Sequence, residues 1–384
     1  MSVSLSRRGL LGAALAAGIT VPLGIASPAS ATPRLRLPGP TGPYPVGTVQ
    51  LHLVDHTRSY QGQVRELMAS IWYPAHDAAR YPVAPWMQDA PFRLLLESAE
   101  FQPDAALTPI TSGHIGAPVR RTGGRLPVVV FSHAAHDHRS ETTVVVQELA
   151  SHGYVVVTVD HTYDAFSQFP DGRVIAPGDG PVMLPPDFAR DAKFVIDQLE
   201  ILAAGHNPDV DHRPLPTGLG AALDLGRIGM FGHSKGGTAT ALLMGEDRRV
   251  RAGLILDGPM ESDPPPLTDL DRPVMLMTAE FTRAEAPPVA AFWSHLRGWR
   301  LNIQAEGALH PSYTDYQVLI TEIAPIVGLS TKDLHDWIGT LDPGRSVKIQ
   351  QAYPLAFFDR HLRHRDSRLL HGPSRSFPEV KFLP

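Results

Sequence analysis

Gly232-His233-Ser234-Lys235-Gly236 constrains this chain more than any other stretch. It fits the pattern G-x-S-x-G, and another glycine follows at 237. Arg227-Ile228-Gly229-Met230-Phe231, just before it, reads as a short buried strand, and residues 238–244, just after it, as a helix of small and apolar side chains. A turn sharp enough to join strand directly to helix leaves no room for side chains around the serine, which is why glycine recurs there. The serine hydroxyl then stands exposed at the edge of a sheet. The free N–H groups of the helix's first turn point to the same place. The plainer alternative is a glycine-rich structural turn with no chemistry of its own.

The rest of the chain supplies the sheet that such a turn needs. Val49-Gln50-Leu51-His52-Leu53-Val54 alternates as a half-exposed strand, with residues 67–73 as its hairpin partner. Leu126-Pro127-Val128-Val129-Val130-Phe131-Ser132 is a continuous apolar run of the kind found in central parallel strands, and residues 154–159, 252–256 and 274–278 read the same way. Residues 301–304 offer a last strand. Helices are expected over 142–151, 186–204, where Phe188, Phe194, Val195, Leu199 and Leu202 recur at helical spacing, and 352–362. Residues 75–125 read as an irregular surface excursion with one helical patch at 92–97. Strands alternating with helices imply a mostly parallel central sheet with helices on both faces, the α/β-hydrolase fold in which a serine elbow of this kind occurs.

Residues 1–31 read as an export signal of the twin-arginine type. Arg7-Arg8 precedes a weakly apolar run, and Ala29-Ser30-Ala31 offers a cleavage site. The run is rich in Ala and Gly and broken by Pro22, so no stable membrane span is expected. The signal implies a secreted, extracellular protein. Residues 32–48 form a Pro-rich extended lead-in, and 49–384 a single domain. The absence of cysteine from all 384 residues excludes disulfides, thiolate catalysis and zinc–thiolate sites. A net charge of −5 with no basic stripe speaks against nucleic acid as a partner. Oligomeric state is left open.

A serine hydroxyl needs a base within hydrogen-bond reach, and the base needs an orienting partner. In the α/β-hydrolase order, acid and histidine follow the serine. Asp257 directly follows the apolar strand 252–256 and is favoured as the acid, with Glu280 at the end of the next strand as competitor. Among the later histidines, His310 hangs on a loop of small residues after the last strand and is favoured as the base. The oxyanion hole needs two backbone N–H donors; Lys235, after the serine, and Ala135, in the loop after Ser132, are the candidates. The Lys235 side chain could steer an anionic substrate or pair with an acid, the second being preferred. His133 and His161 are candidates for shaping the substrate site, set against plain packing or hydrogen-bonding roles. His133, His136, Asp137 and His138 come close to an H-x-H-x-D-H zinc motif, but the first two histidines are one residue too far apart, and no metal or cofactor is expected.

These residues carry a resemblance. Phe131-Ser132-His133, Gly232-His233-Ser234 with its two following glycines, Leu256-Asp257, and His310 with Thr314-Asp315-Tyr316 resemble the platelet-activating-factor acetylhydrolases of the plasma and intracellular type II kind, with their secreted bacterial relatives. The resemblance implies a serine esterase or lipase acting on small-molecule or lipid esters, among them short-acyl phospholipids. It assigns Ser234, Asp257 and His310 as triad, and Ala135 and Lys235 as oxyanion donors. Two departures stand out: Ala134 where that family carries glycine, and Lys235 where it carries an aromatic residue. Polyester or small-ester hydrolases, serine peptidases or amidases, and a catalytically silent binding protein on the same scaffold are the alternatives.

Overall fold

The computed structural model describes residues 32–60, 62–120 and 123–384; the export-signal segment lies outside the described residues. In chain order the first elements are β1 (Arg34–Arg36), β2 (Val46–Tyr60), β3 (Gln63–Pro74), β4 (Val83–Pro85), α1 (Asp89–Ser98) and β5 (Leu107–Ile115). Next come β6 (Leu126–Ser132), α2 (Thr143–Ser151), β7 (Val155–Asp160), the short pair β8 (Ser167–Gln168) and β9 (Val174–Ile175), α3 (Pro185–Ala203) and α4 (Leu219–Ala222). The elbow is formed by β10 (Leu223–His233) and α5 (Lys235–Glu246). After it follow β11 (Val250–Leu256), β12 (Val274–Thr278), α6 (Pro287–Ser294), β13 (Arg300–Ala305), α7 (Tyr316–Val327), α8 (Thr331–Ile338), α9 (Pro343–Arg363) and β14 (Val380–Leu383).

Twelve strands form one sheet in the order β1-β5-β2-β3-β7-β6-β10-β11-β12-β13-β14, with β4 on β5. From β7 to β13 every pairing is parallel. Both faces of these strands are buried, which explains their unbroken apolar runs. Alternate residues face opposite ways. Val128, Val130, Ile228 and Met230 meet α3 and α5 through Phe188, Val195, Leu199 and Leu243. Val129, Phe131, Phe231 and Leu254 meet α2 and α9 through Val145, Leu149, Tyr353, Phe357 and Phe358. The architecture is the α/β-hydrolase fold. The loops that follow β6, β10, β11, β12 and β13 emerge together at the carboxyl edge of the parallel strands, where open α/β sheets build their sites.

Three expectations change. The lead-in is not merely extended: Arg34–Arg36 pairs with β5 as an edge strand. Residues 75–125 are not an irregular excursion. Their strands β4 and β5 join the sheet beside β2, and α1 builds a third small core in which Trp86, Phe92, Leu95 and Leu96 pack with Leu319 and Ile323 of α7. The final long helix begins at Pro343 rather than 352: proline suits a first-turn position, and the Asp342 side chain accepts the Arg345 N–H at 2.9 Å as a cap.

Candidate active site

β10 runs directly into α5, and Ser234 sits between them with φ 51° and ψ −117°, a conformation uncommon for a residue with a side chain. Two close approaches explain the glycines. A Cβ on Gly232 would lie 2.2 Å from the Gly236 carbonyl, and one on Gly236 would lie 2.0 Å from the Ser132 carbonyl oxygen. The second contact presses the elbow against the loop that follows β6. Ser234 N–H donates to the Leu256 carbonyl at 2.9 Å, tying the serine to the end of β11.

Asp257 is the next residue after β11. Its backbone turns to φ 44°, and its N–H donates to the Met277 carbonyl at 2.8 Å. The carboxylate is fully buried. Oδ1 accepts the Ala279 N–H at 2.7 Å, and Oδ2 lies 2.6 Å from His310 Nδ1. His310 opens a short 3-10 turn, His310–Tyr313, reached from β13 through Gly307 at φ 76°. With Nδ1 committed to a carboxylate as donor, Nε2 is the nitrogen left to accept a proton. Glu280 is exposed and stands beside this pair: donor atoms of Asp257, Glu280 and His310 all lie within 4.8 Å of one another. The contact with His310 Nδ1 is nevertheless made by Asp257.

His233, next to the serine, is buried and reaches in two directions. Nε2 lies 3.0 Å from the His310 carbonyl, to which it can only donate, and Nδ1 lies 3.2 Å from Glu141 Oε1. Burial lowers the His233 pKa, and burial pushes Glu141 up to about 8. Both shifts favour a neutral pair with the proton on Glu141, donated to Nδ1. Asp137, beside Glu141, is also held well above the usual carboxylate range, first by burial and then by Glu141 itself.

The loop after β6 carries the expected oxyanion donor. Ala134 N–H donates to Glu141 Oε1 at 3.1 Å, and His136 N–H donates to Asp164 Oδ1. Among the described residues Ala135 N–H, between them, has no partner in a turn, loop or cap, and neither has Lys235 N–H at the start of α5. The Lys235 ammonium does not project freely: Nζ donates to Asp164 Oδ2 at 2.6 Å and to the Met183 carbonyl at 2.9 Å.

His133 and His161 do not line a substrate site, because both rings are fully buried. His161 N–H donates to His133 Nε2 at 3.0 Å, while His133 Nδ1 faces the Ala134 carbonyl at 2.6 Å. His161 belongs to a second Ser-His-Asp chain. Its Nε2 lies 2.7 Å from Ser132 Oγ and its Nδ1 2.9 Å from Asp191 Oδ2. All three residues are fully buried, so this constellation ties the end of β6 to α3 and is closed to solvent. The residues of the zinc-like stretch are occupied otherwise: Asp137 accepts from Tyr316 OH at 2.7 Å, and His138 packs edge-on against Trp86. Sequence reading missed Glu141, Asp164 and Asp191. The signal was faint: Glu141 lies just before α2, Asp191 inside α3 and Asp164 in the loop after β7, each with a partner far away in the chain.

Known proteins are similar to this chain over most of its length. The family model of platelet-activating factor acetylhydrolase, isoform II, matches residues 29–168 and 214–371. A probable 1-alkyl-2-acetylglycerophosphocholine esterase of Arthroderma benhamiae is 26% identical over 90% of this chain and 93% of its own. The platelet-activating factor acetylhydrolase of Canis lupus familiaris is 23% identical over 85% and 77%. The solved ferulic acid esterase from Streptomyces cinnamoneus superposes with a TM-score of 0.76, 32% identical over 91% of this chain and 99% of that one. The chain therefore belongs to the platelet-activating factor acetylhydrolase isoform II family, carboxylic ester hydrolases on the α/β-hydrolase fold.

Proposed function

We propose that this carboxylic ester hydrolase works through Ser234, His310 and Asp257 by way of an acyl-enzyme. The observation that carries the reading is the 2.6 Å contact between His310 Nδ1 and the buried Asp257 Oδ2, on two loops that flank the elbow. Ser234 Oγ attacks the ester carbonyl carbon while His310 Nε2 takes its proton. Ala135 and Lys235 N–H groups hold the tetrahedral oxyanion. Asp257 accepts the His310 Nδ1–H and keeps the imidazole in the tautomer that accepts at Nε2. The alcohol leaves with the proton from His310. Water then attacks the acyl-enzyme with His310 as base, releasing the acid and restoring Ser234. Ser234→Ala is expected to lower turnover of a p-nitrophenyl acyl ester by on the order of 10³ or more; an unimpaired rate would refute the assignment.

The substrate class follows the relatives only in part. The names of the curated relatives point to short-acyl phospholipids, and the solved structure at 32% identity points to a feruloyl ester. Rates on an acetyl phospholipid, a methyl ferulate and a p-nitrophenyl acyl series, measured side by side, separate these classes. An amide counterpart tests the peptidase alternative. We further infer that residues 1–31 direct export and that 49–384, with the lead-in that pairs into its sheet, act as one domain. The support is Arg7-Arg8, the apolar run and Ala29-Ser30-Ala31. No helix among the described residues is long and apolar enough to cross a membrane.

A further inference from the structure

Two carboxylates hold the loop that carries Ala135, and each also holds a neighbour of Ser234. Glu141 accepts the Ala134 N–H and meets the His233 ring. Asp164 accepts the His136 N–H on one oxygen and the Lys235 ammonium on the other. Ala134 and His136 flank Ala135; His233 and Lys235 flank Ser234. Glu141 is fully buried and Asp164 almost so. We propose that Glu141 and Asp164 are positioning residues, a pair of braces that fix the spacing between the Ala135 and Lys235 N–H groups on which the oxyanion rests.

The spacing matters because the donors must be preorganised. An oxyanion hole acts only if both donors already stand about 2.7–3.1 Å from the developing charge. Here the donors belong to different segments, a loop after β6 and the first turn of α5, and no strand pairing joins those two peptide groups directly. The lysine that follows the serine supplies the join, since its charge is neutralised by Asp164 rather than offered to a substrate. The ammonium also sits 5.1 Å from the centre of the Phe188 ring and donates to the Met183 carbonyl, which fixes its direction. On the other side His233 passes the constraint onward, because its Nε2–H donates to the carbonyl of His310. The Glu141 brace therefore sets base and oxyanion loop together. Of the two braces, the Lys235–Asp164 bond at 2.6 Å is the charge-assisted one, and bonds of that kind are short and stiff.

This inference rests on the catalytic reading above and deepens it. The test uses the whole enzyme with p-nitrophenyl acetate, comparing Asp164→Asn, Lys235→Met, their double variant, Glu141→Ala and Glu141→Gln. Asp164→Asn, Lys235→Met and Glu141→Ala should each lower kcat by about 10- to 100-fold with KM within about threefold. The Asp164–Lys235 double variant should be no worse than the worse single one, since both remove the same brace. Glu141→Gln should fall between Glu141→Ala and the parent at pH 7, because no single amide atom can both accept the Ala134 N–H and donate to His233 Nδ1 as the protonated Oε1 does. A trifluoromethyl ketone, to which the serine oxygen adds to give a hemiketal oxyanion, should lose affinity in the same ratio as kcat/KM. A purely structural role would leave that proportionality unmet. Unchanged kcat in Asp164→Asn, additive losses in the double variant, or analogue affinity that does not follow kcat/KM would each overturn the braces. If Asp164→Asn does not fold, Lys235→Met decides by the same readouts, because its side chain is partly at the surface. An active Ser234→Ala enzyme would refute the catalytic reading itself, whereas an inactive one beside a normal Lys235→Met enzyme would refute only the braces.

Discussion

Replacing Asp191 with asparagine removes one charge from the most enclosed ion pair of the molecule. Asp191 is fully buried and accepts from Arg65 Nε at 3.0 Å, from Arg65 Nη2, and from Arg58 Nη1 at 2.9 Å, and it holds His161 Nδ1 at 2.9 Å. Arg65 is equally sealed, and its remaining bond goes to the Thr162 carbonyl at 2.8 Å. Asparagine fills the same space but leaves the Arg65 guanidinium buried without its counter-ion. Breaking such a pair on one side costs about 3–5 kcal/mol. Unfolding entropy near the melting point is about 2.1 cal/mol/K per residue, or about 0.7 kcal/mol/K for the roughly 350 described residues. The expected fall in Tm is therefore about 4–7 °C, read by scanning calorimetry at pH 7. The pH dependence adds a second check. Burial alone would raise the Asp191 pKa, but Arg65 and the His161 bond override it and hold the carboxyl well below its ordinary value of 3.8. A depressed acid stabilises the fold above its unfolded pKa and loses that contribution as pH falls toward the folded one. The deficit of Asp191→Asn should thus be constant from this source between pH 5 and 8, and shrink below about pH 4. A variant melting within about 1 °C of the parent at pH 7 would refute the reasoning, since the ion pair would then contribute almost nothing.

Other expectations follow from the site. Asp257→Asn should lower kcat by on the order of 10³–10⁴, because His310 loses the partner that selects its tautomer, while Glu280→Gln should stay within about threefold; a larger loss in Glu280→Gln would move the acid role to Glu280. Glu141 keeps its proton in the folded chain up to about pH 8, whereas the unfolded chain releases it near 4.5. Folding is therefore favoured by this group below about pH 4.5, and that contribution is lost as pH rises toward about 8. Relative to Glu141→Gln, the parent enzyme's Tm should decline as pH goes from 5 to 9, and a pH-independent difference between the two would contradict the protonated state.

Much of the scaffold could be read directly from the chain because its signals are local. Runs such as 126–132 and 274–278 can satisfy their apolar side chains only inside a two-sided parallel sheet. The glycines at 232 and 236 announce a turn that admits no Cβ. The acid after β11 and the histidine after β13 could be named because parallel strands deliver their following loops to one edge. Residues 75–125 were misread for the opposite reason. Trp86 and Phe92 find their cover on α7, more than two hundred positions away, and no local period records such a partner.

What the sequence determined by itself is the elbow, the alternation of strand and helix, and the edge at which chemistry gathers, since each depends on side chains close together along the chain. Tertiary structure alone decided which of two Ser-His-Asp sets is wholly sealed and which leaves its histidine partly exposed, and which acids hold the loop after β6. Ser132, His161 and Asp191 contain the same groups as Ser234, His310 and Asp257, but Ser132 lies within β6 rather than at an elbow, and α3 covers His161 with Asp191 and Phe188. Burial and partner choice are set by segments distant in sequence, so a single chain read in order carries no mark of them.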